Sequence, residues 1–192
     1  MLLVTPYYNK PTQAGLLTHY RTVADAVDLP IILYNIAGRT GVNLETETLL
    51  RVAEHPRIIG VKEASGDLQQ IMDVIDRTPR DFLVLSGDDI LTFPVMALGG
   101  DGVISVLSNL LPADVRSMVD SVVNGDWSAA RRQHYRLLPI MRACFLETNP
   151  IPIKTALALQ GKVREQFRLP LCPMQPEIRI QLEKLLRRFT HS

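Results

Sequence analysis

A lysine, several tyrosines and an arginine stand where this sequence turns from apolar to polar. Lys62 closes the run RIIGVK (57–62), behind Ile58, Ile59 and Val61, β-branched residues that suit a buried strand. An ammonium in that place is costly unless something neutralises or employs it. A neutral lysine adds to a carbonyl to form an imine, which draws electrons from the adjacent carbon. Partial burial lowers its pKa and raises the fraction able to attack. Tyr34, which ends the run IILY (31–34), could relay protons through carbinolamine formation and breakdown. Arg39, five residues further along in YNIAGRTG, offers a planar fork to a carboxylate. The kit suits an α-keto acid, with its carboxylate at Arg39 and its ketone at Lys62. Each residue alone has a plainer reading. A strand-end lysine is usually solvated, Tyr34 could be an interior phenol with one hydrogen bond, and Arg39 could tie down its own loop. Tyr7 and Tyr8 could be subunit-contact aromatics, Asp88 and Asp89 the acidic start of a helix, and the arginines of ARRQHYRLLPIMR one solvated face. The functional reading rests on convergence.

The elements that must position these residues alternate. LLVT (2–5), IILY (31–34), RIIGVK (57–62), FLVLS (82–86) and GVISV (102–106) read as five strands, apolar on both faces. Between them the spacing predicts helices: Pro11–Asp28 with Leu16, Tyr20, Val23 and Val27 inward, and a helix capped by Asn43 with Thr46, Leu49, Leu50 and Ala53 inward. A third carries Leu68, Ile71, Met72 and Ile75 on one stripe, and a fourth covers roughly 88–98. After GVISV a helix begins near Pro112 with Val115, Met118, Val119 and Val122 inward, since proline is favoured in a first turn. Beyond Asn124-Gly125 the strands stop and helices broken by NPIPIK and LPLCPMQP follow, the last with Ile178, Leu182, Leu185 and Phe189 on one stripe. The expected domains are therefore 1–125 and 126–192. Strand–helix alternation implies a parallel sheet covered by helices. Pattern alone leaves both the open doubly wound sheet and the closed eight-stranded barrel available. The glycines of LGGDGVIS precede a strand, so they read as a tight turn and not as a phosphate cradle. In either architecture function gathers beyond the strands' carboxyl ends, and there lie Thr5, Tyr7, Tyr8, Tyr34, Asn35, Arg39, Thr40, Lys62, Glu63, Ser86, Gly87, Asp88 and Ser105.

Composition excludes several classes. With 192 residues, 46% hydrophobic and 21% charged, the chain can bury a real core. A net charge of +1 argues against an extended nucleic-acid surface or an acidic tail. Cys144 and Cys172 form no CxxC pair and read as thiols in a reducing cytosol. His19, His55, His134 and His191 lack the i, i+4 spacing of a zinc helix, so no metal is expected. No apolar run is long enough to span a bilayer, and MLLVTPYYNK has no basic region before a sustained apolar one. A cytoplasmic protein is the expectation.

VTPYYNKP, YNIAGRTG, GVKEASGD, SGDD, GGDGVISV and NPIPIK, taken in order, resemble the dihydrodipicolinate synthase (4-hydroxy-tetrahydrodipicolinate synthase) family, within the N-acetylneuraminate lyase superfamily of pyruvate-dependent class I aldolases. The intervals from Tyr8 to Tyr34 and from Tyr34 to Lys62 match those of that family. The resemblance implies roles: Lys62 forms the pyruvate imine, Tyr34 shuttles protons, Arg39 with the adjoining Thr40 binds substrate carboxylate, and Tyr8 reaches across a dimer interface into the partner's site. Gly87 and Ile104 would line the pocket. It implies condensation of pyruvate with L-aspartate 4-semialdehyde, on the route to diaminopimelate and lysine, with no cofactor beyond the covalent imine. A homo-oligomer, dimer or tetramer, is implied too. The implied fold is a partial (β/α)8 barrel, strands 4–8, followed by a helical C-terminal domain, because the motifs begin at the family's fourth strand. The first three β/α units, with the threonine pair of the GTTGE type, have no counterpart here. A whole barrel takes about 250 residues, so the expectation is a truncated chain with weak or no turnover in which Lys62 still traps pyruvate. Arg39 favours the aspartate-semialdehyde branch. N-acetylneuraminate lyase-type or keto-sugar-acid aldolase activity, and an inactive fragment serving only as an assembly module, stand as alternatives.

Overall fold

The computed structural model describes residues 1–189; His191 lies outside the described residues. Its contacts gather into two compact units, Met1–Ile104 and Ser105–Ser192.

The first unit is built on five parallel strands: β1 (Leu2–Val4), β2 (Ile31–Asn35), β3 (Ile58–Glu63), β4 (Leu83–Ser86) and β5 (Gly102–Val103). Their spatial order is their chain order, β1-β2-β3-β4-β5. A doubly wound sheet reverses direction at a switch point, whereas a barrel adds each strand beside the last. The order therefore selects the barrel-type arrangement that pattern left open. Between the strands run α1 (Gln13–Ala26), the single turn α2 (Ala37–Thr40), α3 (Thr46–Ala53), α4 (Leu68–Arg77) and α5 (Thr92–Ala97). Leu16, Tyr20 and Ala24 of α1, with Leu49 and Val52 of α3 and Val74 of α4, pack on Ile31, Leu33, Val61 and Val84. Side chains alternate across a strand, so Leu2, Val4, Ile32, Tyr34, Lys62 and Leu85 face the other way. On that second face Leu2 and Val4 remain 47% and 39% exposed. Gly60 allows β3 and β4 to close up there, since a Cβ would sit 2.6 Å from the Leu83 carbonyl oxygen.

Local chemistry sets the helix starts. Thr12 Oγ1 accepts from Gly15 N at 3.2 Å, beginning α1. Asp67 Oδ1 accepts from Gln69 N and Gln70 N at 2.9 and 3.2 Å, beginning α4. Removing such a cap typically costs about 1 kcal/mol. Asp67→Ala should accordingly lower the unfolding free energy measured in urea by about that amount, whereas Asp67→Asn should restore most of it.

Several expectations are corrected. Asn43 does not cap α3: Glu45 holds the cap position, and Asn43 instead bonds Gln70 and Asn35. On α4 the buried pair is Ile71 and Val74, while Met72 is 42% exposed. The helix expected over 88–98 is a 3₁₀ turn (Asp89–Leu91) running into the short α5. The fifth strand pairs only over Gly102–Val103, with Ile104 N adding a bond to Ser86 O at 2.9 Å.

The second unit is helical: α6 (Pro112–Val123), α7 (Trp127–Ala143), α8 (Ile151–Leu159) and α9 (Pro176–Leu186). Prolines occupy the first turns of α6, α8 and α9, where the missing N–H leaves no bond unmade. Val115, Met118 and Val122 of α6 are buried as the spacing predicts, and on α9 the buried residues are Leu182 and Leu186 in place of Leu185. Along α7, Arg131, Arg132 and Arg136 are exposed while Leu137, Ile140 and Met141 are buried.

Candidate active site

The carboxyl ends of β2 and β3 bring the candidate groups together. Their register pairs Tyr34 with Lys62 and Asn35 with Glu63. Because Tyr34 and Lys62 share a face, the amine meets the phenol: Lys62 Nζ lies 4.0 Å from the centre of the Tyr34 ring. Lys62 is only 9% exposed. Burial pushes its pKa below the ordinary lysine value, Asp89 pulls it back up, and the Arg39 guanidinium lowers it further. Burial raises the pKa of the Tyr34 phenol, and Arg39 opposes that rise. An amine with a lowered pKa, a phenol beside it and a cation acting on both are what addition to a keto acid requires.

Tyr34 is held from behind. Thr5 N and Thr5 Oγ1 both donate to its carbonyl at 3.1 Å, and buried Tyr20 donates its OH to Thr5 Oγ1 at 3.1 Å. Thus the Tyr20 predicted to face inward also anchors the end of β1 to β2.

The other candidates fall into distinct places. Arg39 is exposed in α2, on the turn directly after β2. Thr40 beside it is buried, and its hydroxyl donates to Ile36 O and Val42 O at 3.1 and 2.9 Å, so it locks the loop that presents Arg39. Gly87 follows β4 and donates its N–H to Glu63 O at 2.7 Å. A Cβ on Gly87 would lie 3.0 Å from both Cγ and Cε of Lys62, so this glycine makes the wall along the lysine stem. Ile104 continues the β4–β5 pairing. Tyr8 projects from the loop after β1 with 89% of its surface exposed, and Tyr7 beside it is 64% exposed.

Two features escaped the sequence reading. Asp88 and Asp89 do open a helical turn, Asp88 as its cap with Oδ1 accepting from Ile90 N at 2.9 Å and Asp89 as its first residue. Asp89 is also 2% exposed and acts on Lys62, which its place at a helix start does not suggest. Glu63 is 1% exposed, and burial raises its pKa against the hydrogen bonds it receives from Ser65, Asn35 and Gln70. A charged residue following the lysine gave no hint of that depth.

Residues 1–189 match the model of the dihydrodipicolinate synthetase family. The 4-hydroxy-tetrahydrodipicolinate synthase of Koribacter versatilis is 54% identical over 96% of this chain and 62% of its own length. The crystal structure of dihydrodipicolinate synthase from Aquifex aeolicus superposes with a TM-score of 0.96 at 44% identity, covering 98% of this chain and 64% of that one. A chloride-inhibited dihydrodipicolinate synthase from Acinetobacter baumannii, solved in complex with pyruvate, superposes with a TM-score of 0.94 at 42% identity, covering 97% of this chain and 64% of that one. The chain thus spans less than two thirds of the length of these relatives, and its five strands form part of a (β/α)8 barrel, followed by a helical C-terminal domain.

Proposed function

The chain belongs to the dihydrodipicolinate synthetase family, and we propose that it carries the imine-forming centre of a pyruvate-condensing lyase of the 4-hydroxy-tetrahydrodipicolinate synthase type. Lys62 is the nucleophile. Its neutral amine adds to the ketone carbon of pyruvate, giving a carbinolamine, and loss of one water gives the protonated imine. Tyr34 hands protons to and from the carbinolamine oxygen. The imine then accepts the electron pair left when the methyl group gives up a proton, forming an enamine. The enamine carbon attacks the aldehyde of L-aspartate 4-semialdehyde, and the new alkoxide takes up a proton. The amine of that substrate displaces Lys62 from the imine carbon, which closes the ring and frees the lysine. Arg39 grips the substrate carboxylate with its two-pronged guanidinium, and Thr40 fixes the turn that offers it. The imine is itself the electron sink, so the reading calls for no further cofactor.

One observation carries this reading: a lysine buried to 9% exposure, its nitrogen 4.0 Å from a tyrosine ring at the carboxyl ends of adjacent parallel strands. The exposed Tyr8 supports a homo-oligomer in which a second copy covers it. Cys144 and Cys172 remain thiols, which supports a cytoplasmic setting. Among the described residues no helix is long and apolar enough to cross a membrane.

The test is borohydride reduction in the presence of pyruvate, followed by peptide mass mapping. A reduced pyruvate adduct on Lys62 is expected, formed faster as pH rises from 6 toward the lowered pKa of the amine. Adducts spread evenly over the other lysines, with none on Lys62, would sink the proposal.

A further inference from the structure

Next along the strands from the Tyr34–Lys62 pair lies a second register pair, Asn35–Glu63, which the chemistry above does not use. Both side chains are withdrawn from water, at 0% and 1% exposure, and by strand alternation they face the helices, away from the amine. Asn35 Nδ2 donates to both Glu63 oxygens at 3.2 Å, and Ser65 N donates to Glu63 Oε1 at 2.9 Å. The amide is itself pinned: Asn35 Oδ1 accepts from Leu44 N at 3.0 Å, and Nδ2 also reaches Asn43 Oδ1 at 2.9 Å. Gln70 of α4 closes the net, accepting from Asn43 Nδ2 at 2.7 Å and donating back to Asn43 Oδ1 at 3.3 Å.

A buried carboxylate is an expensive way to hold two strands together, and an apolar pair of the same volume would stabilise them at least as well. What the polar pair adds is register. A one-residue slip between strands turns every side chain to the opposite face, and here it would take Lys62 away from Tyr34. We propose that Glu63 and Asn35 are positioning residues that clamp β2 to β3 and so hold the Lys62 amine against the Tyr34 ring. The catalytic consequence rests on the imine reading given above; the geometric one does not.

The test reads the geometry directly. Lysines of the full chain are reductively methylated with ¹³C-formaldehyde, and the Lys62 resonance is assigned with Lys62→Arg. In the wild-type chain the Tyr34 ring current should displace this resonance upfield, since the Lys62 nitrogen lies over the ring. Glu63→Leu keeps roughly the volume and removes both oxygens that Asn35 Nδ2 reaches. The displacement should vanish in Glu63→Leu, and in a separate unmethylated sample pyruvate trapping should slow roughly 100-fold, the order of effect that a 1 Å misplacement produces. Circular dichroism should stay that of the parent. Glu63→Gln keeps one acceptor, within reach of Asn35 Nδ2 and Ser65 N, and should show a smaller displacement than the parent. If Glu63→Leu does not fold, Glu63→Gln decides by whether the displacement shrinks. A displacement that stays full in folded Glu63→Leu or, where that variant does not fold, in Glu63→Gln, or that is lacking in the wild-type chain, overturns the clamp. A displacement that is present in the wild-type chain and lost in Glu63→Leu, in a protein that forms no pyruvate adduct, supports the clamp and sinks the imine reading instead.

Discussion

Lys62→Met is expected to abolish pyruvate trapping and, in the same step, to raise folding stability at neutral pH by about 1 kcal/mol, the usual size of a stabilising substitution at a functional site. Methionine is unbranched, apolar and flexible enough to follow the lysine stem past Gly87. It removes the burden of an amine that is 9% exposed. The sign follows from proton binding. Burial is the largest influence on this amine and places its pKa below 10.5, with Asp89 only partly opposing it. Between that lowered value and 10.5 the unfolded chain binds more protons than the folded one, so wild-type stability climbs as pH rises through the window. Below the window both states are protonated and the folded protein carries the whole cost. The advantage of methionine should therefore be largest near pH 7 and shrink toward pH 10.5. Urea denaturation of both proteins at the two pH values measures it. A methionine variant no more stable than its parent at pH 7 would mean that Asp89 fully compensates the amine, contrary to a lowered pKa.

The same balance explains why such a residue stands out in sequence. A polar group at the end of a β-branched run conflicts with local preference, and conflicts of that kind collect at functional sites. Lys62, Tyr34 and Arg39 were legible for this reason, and the inward placing of Leu16 and Tyr20 was legible through their helical spacing. The four longer strands were legible because their apolar runs are bounded by proline, glycine and charge. What sequence could not supply is pairing. Nothing in IILYN or IIGVKE states that Tyr34 stands beside Lys62, because register is settled by the whole sheet. Asn43 has the composition of a helix cap, yet Gln70, distant in sequence, claims its side chain. GVISV has strand composition throughout, yet only its first two residues join the ladder to β4. Asp89 and Glu63 were hidden for the same reason: burial of a charge depends on neighbours that only the fold brings near.

Gly87→Val should be nearly as damaging to pyruvate trapping as loss of the lysine, although it removes no reactive group. Gly87 cannot retreat, since its N–H is bonded to Glu63 O at 2.7 Å. A Cβ there would sit 2.8 Å from Ala64 Cβ, a side chain with no freedom to yield, and 3.0 Å from Lys62 Cγ and Cε. The lysine stem is the part that can move, and valine adds two further methyl groups on the same side. The amine is then turned off the Tyr34 ring, and trapping should fall by roughly 100-fold or more. Overpacking should also cost about 1–3 kcal/mol of stability. Gly38→Ala is the control, because a Cβ at Gly38 meets nothing within 4 Å; it should change stability by less than about 0.5 kcal/mol and leave the Lys62 adduct at its parental rate. The discriminating result is the ratio of the two effects. If Gly87→Val loses stability but traps pyruvate at the parental rate, the Lys62 stem does not run along Gly87, and the wall assigned to this glycine must be given up.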